Sequence, residues 1–129
     1  MKTETREWVR HAEEDFLVAS TLIRQQKKLP ANSVGFHSQQ CVEKYFKARL
    51  IEVSAPVPKT HDLEGLLNLL VPIEPLWAAF HPVLGTLTSY AVQFRYPGHV
   101  ATRQDAKEAL ADGRSIRKED RLSLGLPAK

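Results

Sequence analysis

The sequence predicts an all-α protein, an up-and-down bundle of four to five helices with two long antiparallel helices at its centre. Three observations lead there. Apolar residues recur at three- and four-residue steps, proline and glycine interrupt that pattern at intervals, and no stretch alternates as a half-buried strand does. At 129 residues the chain is about one domain's worth, enough for a single core. One helical domain is expected over residues 1–120, followed by a flexible C-terminal tail at 121–129.

The first helix is expected over residues 5–27. Val9, Ala12, Phe16, Ala19 and Ile23 form one stripe, with Trp8 and Leu22 beside it. Acidic Glu7, Glu13 and Glu14 come early and Lys27 and Lys28 late, the order that suits the helix dipole. Leu29-Pro30 stops it. Asn32 or Ser33 is the expected cap of a second helix reaching residue 51. That helix carries an apolar row of Val34, Cys41, Tyr45 and Ala48, widened by Val42, Phe46 and Leu50. The short connection makes the first two helices antiparallel neighbours. Pro56 and Pro58 mark an extended linker, after which Thr60 is the expected cap of a short helix bearing Leu63, Leu66, Leu67 and Leu70. A fourth series runs from Ile73 through Leu76, Trp77, Phe80, Leu84, Leu87 and Ala91 to Phe94, with Pro82 expected to kink or split it. Arg95-Tyr96-Pro97-Gly98 reads as a stop, and Thr102 with Asp105 as a capping box. The last helix is expected over residues 103–118, with Ala106, Ala109, Leu110 and Ile116 on its apolar face.

Composition narrows the function classes. Hydrophobic residues make up 43% and charged residues 26%, ordinary for a globular protein. No apolar run approaches the roughly 20 residues of a membrane helix, and the polar first ten residues, numbered 1–10, do not resemble a signal peptide. The single Cys41 can form no internal disulfide. A cytoplasmic protein without membrane contact is expected. The net charge of +3 permits contact with phosphates without demanding it. Arg114, Arg117, Lys118 and Arg121 cluster near the end, as a solvated helix end and tail or as a nucleic-acid arm.

Several residues could carry chemistry. Arg95 and His99 are the sharpest pair, because arginine stabilises charge developing on a phosphate and histidine serves as general acid or base near neutral pH. RNA cleavage by such a pair uses the substrate's own 2′-hydroxyl and needs no metal. The alternatives are structural, with Arg95 on helix-end carbonyls and His99 in an exposed loop, or phosphate binding without catalysis; Tyr96 belongs with that binding set. On the second helix, His37, Gln40, Lys44 and Lys47 share a face and form a candidate phosphate-binding strip. The alternative is a solvated face paired with Glu43 and other acids, with Gln39 and Gln40 bonding across a helix interface. His61 stands near a helix N-terminus, where free amides attract anions, or else packs beside Thr60 and fixes the linker. His11 and His81 have no partner at a diagnostic spacing, so no metal site is expected. Trp8, Trp77, Phe80, Phe94 and Tyr45 fall on apolar stripes and are assigned to core or dimer surface in preference to base stacking. Cys41 is expected to be a buried, inert thiol. There is no glycine-rich phosphate loop, so a nucleotide site here is of another kind.

The segment from Phe36 to Ala48, FHSQQCVEKYFKA, resembles the second-helix signature of HEPN domains, the nucleotide-binding domains of higher eukaryotes and prokaryotes. Pro58-Lys59-Thr60-His61-Asp62-Leu63, the Arg95-Tyr96-Pro97 stop, and Trp8 followed by Ala12, Asp15 and Ala19 fall in the same order as in that family. The resemblance covers roughly residues 5–118 and implies a helical bundle that commonly dimerises. It also implies two functional styles. Some members bind nucleotides or accompany small nucleotidyltransferases, often in toxin–antitoxin pairs. Others are metal-independent ribonucleases with an arginine and a histidine four to six residues apart, whereas only three residues separate Arg95 from His99. The expected function is therefore a nucleotide-binding or interaction module, a homodimer partnering a separately encoded minimal nucleotidyltransferase, with ATP or GTP as possible ligands. A ribonuclease toxin using Arg95 and His99 and a purely structural dimerisation module are the alternatives.

Overall fold

In the computed structural model, residues 1–129 are described, the side chain of Arg95 excepted. Five α-helices form an up-and-down bundle: α1 (Thr3–Leu22), α2 (Ala31–Glu52), α3 (Leu63–Leu70), α4 (His81–Val92) and α5 (Arg103–Ser123). Two short 3₁₀ segments, Pro75–Phe80 and Gln93–Arg95, flank α4.

α2 is the element around which the rest is packed. Its apolar rows are covered by neighbouring helices: Val34, Cys41, Val42, Tyr45, Phe46, Ala48 and Leu50 are all fully buried, and polar Ser38, Gln39, Glu43 and Lys47 are buried with them. α1 lies antiparallel to it: Thr5 donates to Glu52 at one end (2.9 Å) and Asp15 bonds His37 further along (2.7 Å). α5 runs the same way as α2, with Gly113 against Ser38 and Arg121 at Tyr45. The main core joins Phe46 and Leu50 to Leu63, Leu66, Leu67, Leu70, Trp77, Leu84 and Leu87. Each leucine so buried contributes about 1.5–3 kcal/mol, which explains how an eight-residue helix as short as α3 is held.

Several boundaries differ from the sequence expectation. α1 ends at Leu22, short of residue 27, because the polar run from Arg24 to Lys28 has no face to bury; Lys28 there adopts a positive φ of 53°. α2 starts at once after Pro30, so neither Asn32 nor Ser33 caps it. The Asn32 side chain instead donates to the carbonyls of Phe94 (3.1 Å) and His99 (2.7 Å) and accepts from the Ala101 N–H (2.6 Å). One side chain therefore pins the loop before α5 to the start of α2. Asp62, rather than Thr60, occupies the cap position of α3. The fourth apolar series divides at Pro82, which sits in the first turn of α4, where a missing N–H costs nothing. The Thr102–Asp105 capping box is formed. α5 continues past residue 118 to Ser123 because Ile116, Arg117 and Asp120 are all buried. Of the residues expected as a tail, Leu124 and Leu126 pack on the second apolar cluster of Val9, Ala12, Cys41, Tyr45 and Ala48. Among the described residues no helix is long and apolar enough to cross a membrane.

Asp120 is fully buried and neither of its carboxylate oxygens has a hydrogen-bond partner. Burial pushes its carboxyl well above the ordinary value; Arg49 opposes this and Glu74 adds to it. Such a group stays protonated in the fold while the unfolded chain ionises above about pH 4. Stability therefore falls as pH rises from there towards the folded-state value. Asp120→Asn is expected to leave the melting temperature at pH 4 close to wild type and to raise it at pH 7. Thermal melts at the two pH values check this, and an equal shift at both refutes it.

Candidate functional site

The strip on α2 meets two carboxylates. Asp15 of α1 receives both His37 Nδ1 (2.7 Å) and the Lys44 ammonium (2.6 Å). Glu43 is buried and receives Gln39 (3.0 Å), Lys47 (3.0 Å) and His61 Nδ1 (2.8 Å). Burial raises the Glu43 carboxyl, but the three hydrogen bonds outweigh it and hold the group below the ordinary carboxylate value. Gln40 donates to Gln39 (2.7 Å) and extends the chain of bonds. His37, Gln40, Lys44, Lys47 and His61 are thus brought together, but as a bonded polar layer between α1, α2 and the linker. Lys47 is buried with Gln39 and Glu43, His37, Gln40 and Lys44 are half-buried, and His61 is exposed. Each lysine ammonium keeps donors beyond the one its acid uses.

Those donors border Trp8. Lys47 lies 5.7 Å from the centre of the indole, which is half-buried. Two grooves meet at Glu4 and Trp8. One, of about 350 Å³, is lined by Glu7, His11 and Lys44; the other, of about 300 Å³, by Lys47, Ile51, Val57, Pro58 and Lys59.

Tyr96 and His99 stand apart from this layer, on the loop tied down by Asn32. Both are exposed. The His99 ring lies edge-on to Phe94, 6.2 Å between centroids, and Phe94 stacks on Tyr90. The side chain of Arg95 lies outside the described residues, so its placement relative to His99 is not part of this geometry.

The basic cluster near the end is partly internal. Glu13 accepts from Arg117 in a bidentate pair (2.6 and 2.7 Å) and from Tyr45 (2.5 Å), and Arg121 bonds both Tyr45 and the Pro127 carbonyl. The Arg117 guanidinium also covers Phe16 at 4.3 Å. These two arginines hold α5 to α1 and are unavailable as an arm for nucleic acid. Arg114 and Lys118 remain exposed.

The chain matches the HEPN domain over residues 5–121. It belongs to the HEPN family. This HEPN chain is also 31% identical over 126 residues to a candidate toxin of Methanocaldococcus jannaschii, the match covering 84% of this chain and 80% of that protein. No solved structure matches it significantly. In this HEPN domain the second-helix signature and the THDL segment meet at Glu43, since one carboxylate binds Lys47 of the first and His61 of the second. Glu43 was expected as a pairing acid for this face, whereas Asp15 was the partner that residue types alone did not single out. The four-residue step from Glu43 to Lys47 signalled one pairing, while nothing local could link Asp15 to Lys44 across 29 positions. Cys41 is buried, and burial pushes its thiol well above the ordinary value, which leaves it unreactive.

Proposed function

We propose that this HEPN domain is a non-catalytic nucleotide-binding and interaction module that homodimerises and works with a separately encoded small nucleotidyltransferase. The observation that carries this reading is the position of Lys44 and Lys47. They lie nearly one turn apart on α2, each restrained by a single acid and each bordering a groove at Trp8. Restrained ammonium groups with spare donors suit phosphate oxygens. The likeness to a candidate toxin supports a place in a toxin–antitoxin-like pair. Two features favour binding over cleavage. The His99 carbonyl is held in a turn by Asn32, and only three residues separate Arg95 from His99 in the sequence, short of the spacing of the family's ribonucleases.

Titration calorimetry with ATP, GTP and a short RNA is expected to detect binding of at least one, weakened by added salt. A pull-down with the tagged protein is expected to recover a nucleotidyltransferase. Failure of both removes the reading. RNA cleavage in the presence of a metal chelator, abolished by Arg95→Ala and by His99→Ala, would replace it with a ribonuclease toxin.

A further inference from the structure

We infer that the slot between Trp8 and the Ile51–Val57–Pro58 wall is the seat for a purine base, with the phosphates of the same nucleotide on Lys47 and Lys59. The inference rests on the nucleotide reading above and gives it a location and a ligand class.

Charge is divided across this groove. Its acid, Glu4, comes from α1 one turn before Trp8; its cations, Lys47 and Lys59, come from α2 and the linker. The rest of its lining is the indole and three apolar side chains, Ile51, Val57 and Pro58. A ligand that fits has a flat apolar plate with N–H groups on one edge and a separate anionic end. A purine nucleotide has that division. Its base stacks on an indole irrespective of sequence, an exocyclic amino group donates to a carboxylate, and its phosphates take lysine ammoniums. The groove of about 300 Å³ is of small-molecule size.

The site also has a built component. Lys47 is only 7% exposed, and its ammonium is fixed by Glu43 at 3.0 Å while lying over the indole. Burying an ammonium costs free energy that one ion pair repays incompletely, so a second anion at the groove completes its surroundings. Lys59 and Glu4 are exposed and free to turn towards a ligand. Among the described residues, the slot is lined from α1, α2 and the linker.

The test pairs calorimetry with tryptophan fluorescence, using ATP, GTP and inorganic triphosphate, which has no base. The chain has two tryptophans, and Trp77 lines a separate groove with Arg49 and Glu74, so the quench is assigned to Trp8 by its loss in Trp8→Leu. Nucleotide is expected to quench the emission and triphosphate to leave it unchanged. Trp8→Leu is expected to weaken nucleotide binding at least about tenfold and to leave triphosphate binding as in wild type. Trp8→Phe, which keeps a ring, is expected to restore nucleotide affinity. Lys59→Ala, at an exposed position that does not endanger folding, is expected to weaken nucleotide and triphosphate alike. Nucleotide binding seen by calorimetry but untouched by Trp8→Leu overturns the base seat and leaves the nucleotide reading standing. Equal affinity of wild type for triphosphate and nucleotide also overturns it. No nucleotide binding at all overturns the base seat and the nucleotide-binding part of the reading above, whose partner part the pull-down tests separately.

Discussion

Glu13→Ala is expected to destabilise the fold by about 3 kcal/mol, because it leaves a buried arginine charge without its partner. For a domain of this size that corresponds to a fall of about 10 °C in melting temperature. Arg117 is buried, and its guanidinium has only the Ala128 carbonyl at 3.4 Å and the Phe16 ring once the bidentate pair is gone. Burial alone would raise the Glu13 carboxyl, but bonds from Arg117 and Tyr45, with the charges of Arg117 and Arg121, bring it below the ordinary carboxylate value. A depressed carboxyl contributes its full stabilisation above the unfolded-state value, near pH 4.3, and loses it as pH falls through the folded-state value. The gap between wild type and Glu13→Ala should therefore narrow in acid. Replacing both partners, as Glu13→Leu with Arg117→Met, is expected to recover most of the loss, since apolar groups of similar volume often substitute for a buried pair. Chemical denaturation of the wild type and the two variants decides the matter. A double variant no more stable than Glu13→Ala would show that the arginine charge is not the source of the cost.

The bundle was legible because its determinants are local. Leu63, Leu66, Leu67 and Leu70 make α3 through spacing alone, and all four are buried. Thr102 and Asp105 start α5 through bonds spanning three residues. Ends governed by distant packing were not legible in this way. α5 outruns its apolar face because Arg117 and Asp120 are buried, and burial of charged residues is decided by what faces them. Asn32 shows the same limit. It looks like a helix cap, yet its partners lie 62 to 69 positions away.

The candidate site divides along the same line. Helical spacing put His37, Gln40, Lys44 and Lys47 on one face, and the fold keeps them together. Their state depends on Asp15 and Glu43, which convert a row of positive groups into a bonded layer with donors left over at its border. Trp8 was assigned to core or dimer surface from its stripe. It does pack on the second cluster, but being half-buried it also lines both grooves, and only the path of the linker at Val57, Pro58 and Lys59 makes that visible.

Gly35→Ala should lower stability by about 2–3 kcal/mol, against the gain of about 1 kcal/mol that this change brings in an unhindered helix. The sign is reversed by Tyr90. A Cβ on residue 35 meets Cδ1, Cε1 and Cγ of that ring well inside van der Waals contact. The ring is confined on that side: Tyr90 is 1% exposed and stacks on Phe94 with centroids 4.5 Å apart. Burial, together with Asp105 and Glu108, pushes its hydroxyl up to about 12, so it stays neutral at ordinary pH. Tyr90 stacks on Phe94, whose ring the His99 ring meets edge-on. The glycine thus sets how closely α4 approaches α2 at Tyr90. Tyr90→Val removes the obstructing ring at its own cost in packing. Combined with Gly35→Ala it is expected to cost clearly less than the sum of the two single changes, because a clash removed by either partner is counted once. Denaturation midpoints of the four proteins give the coupling directly. Additive costs would mean that the helix approach at Gly35 is not what holds this corner of the bundle.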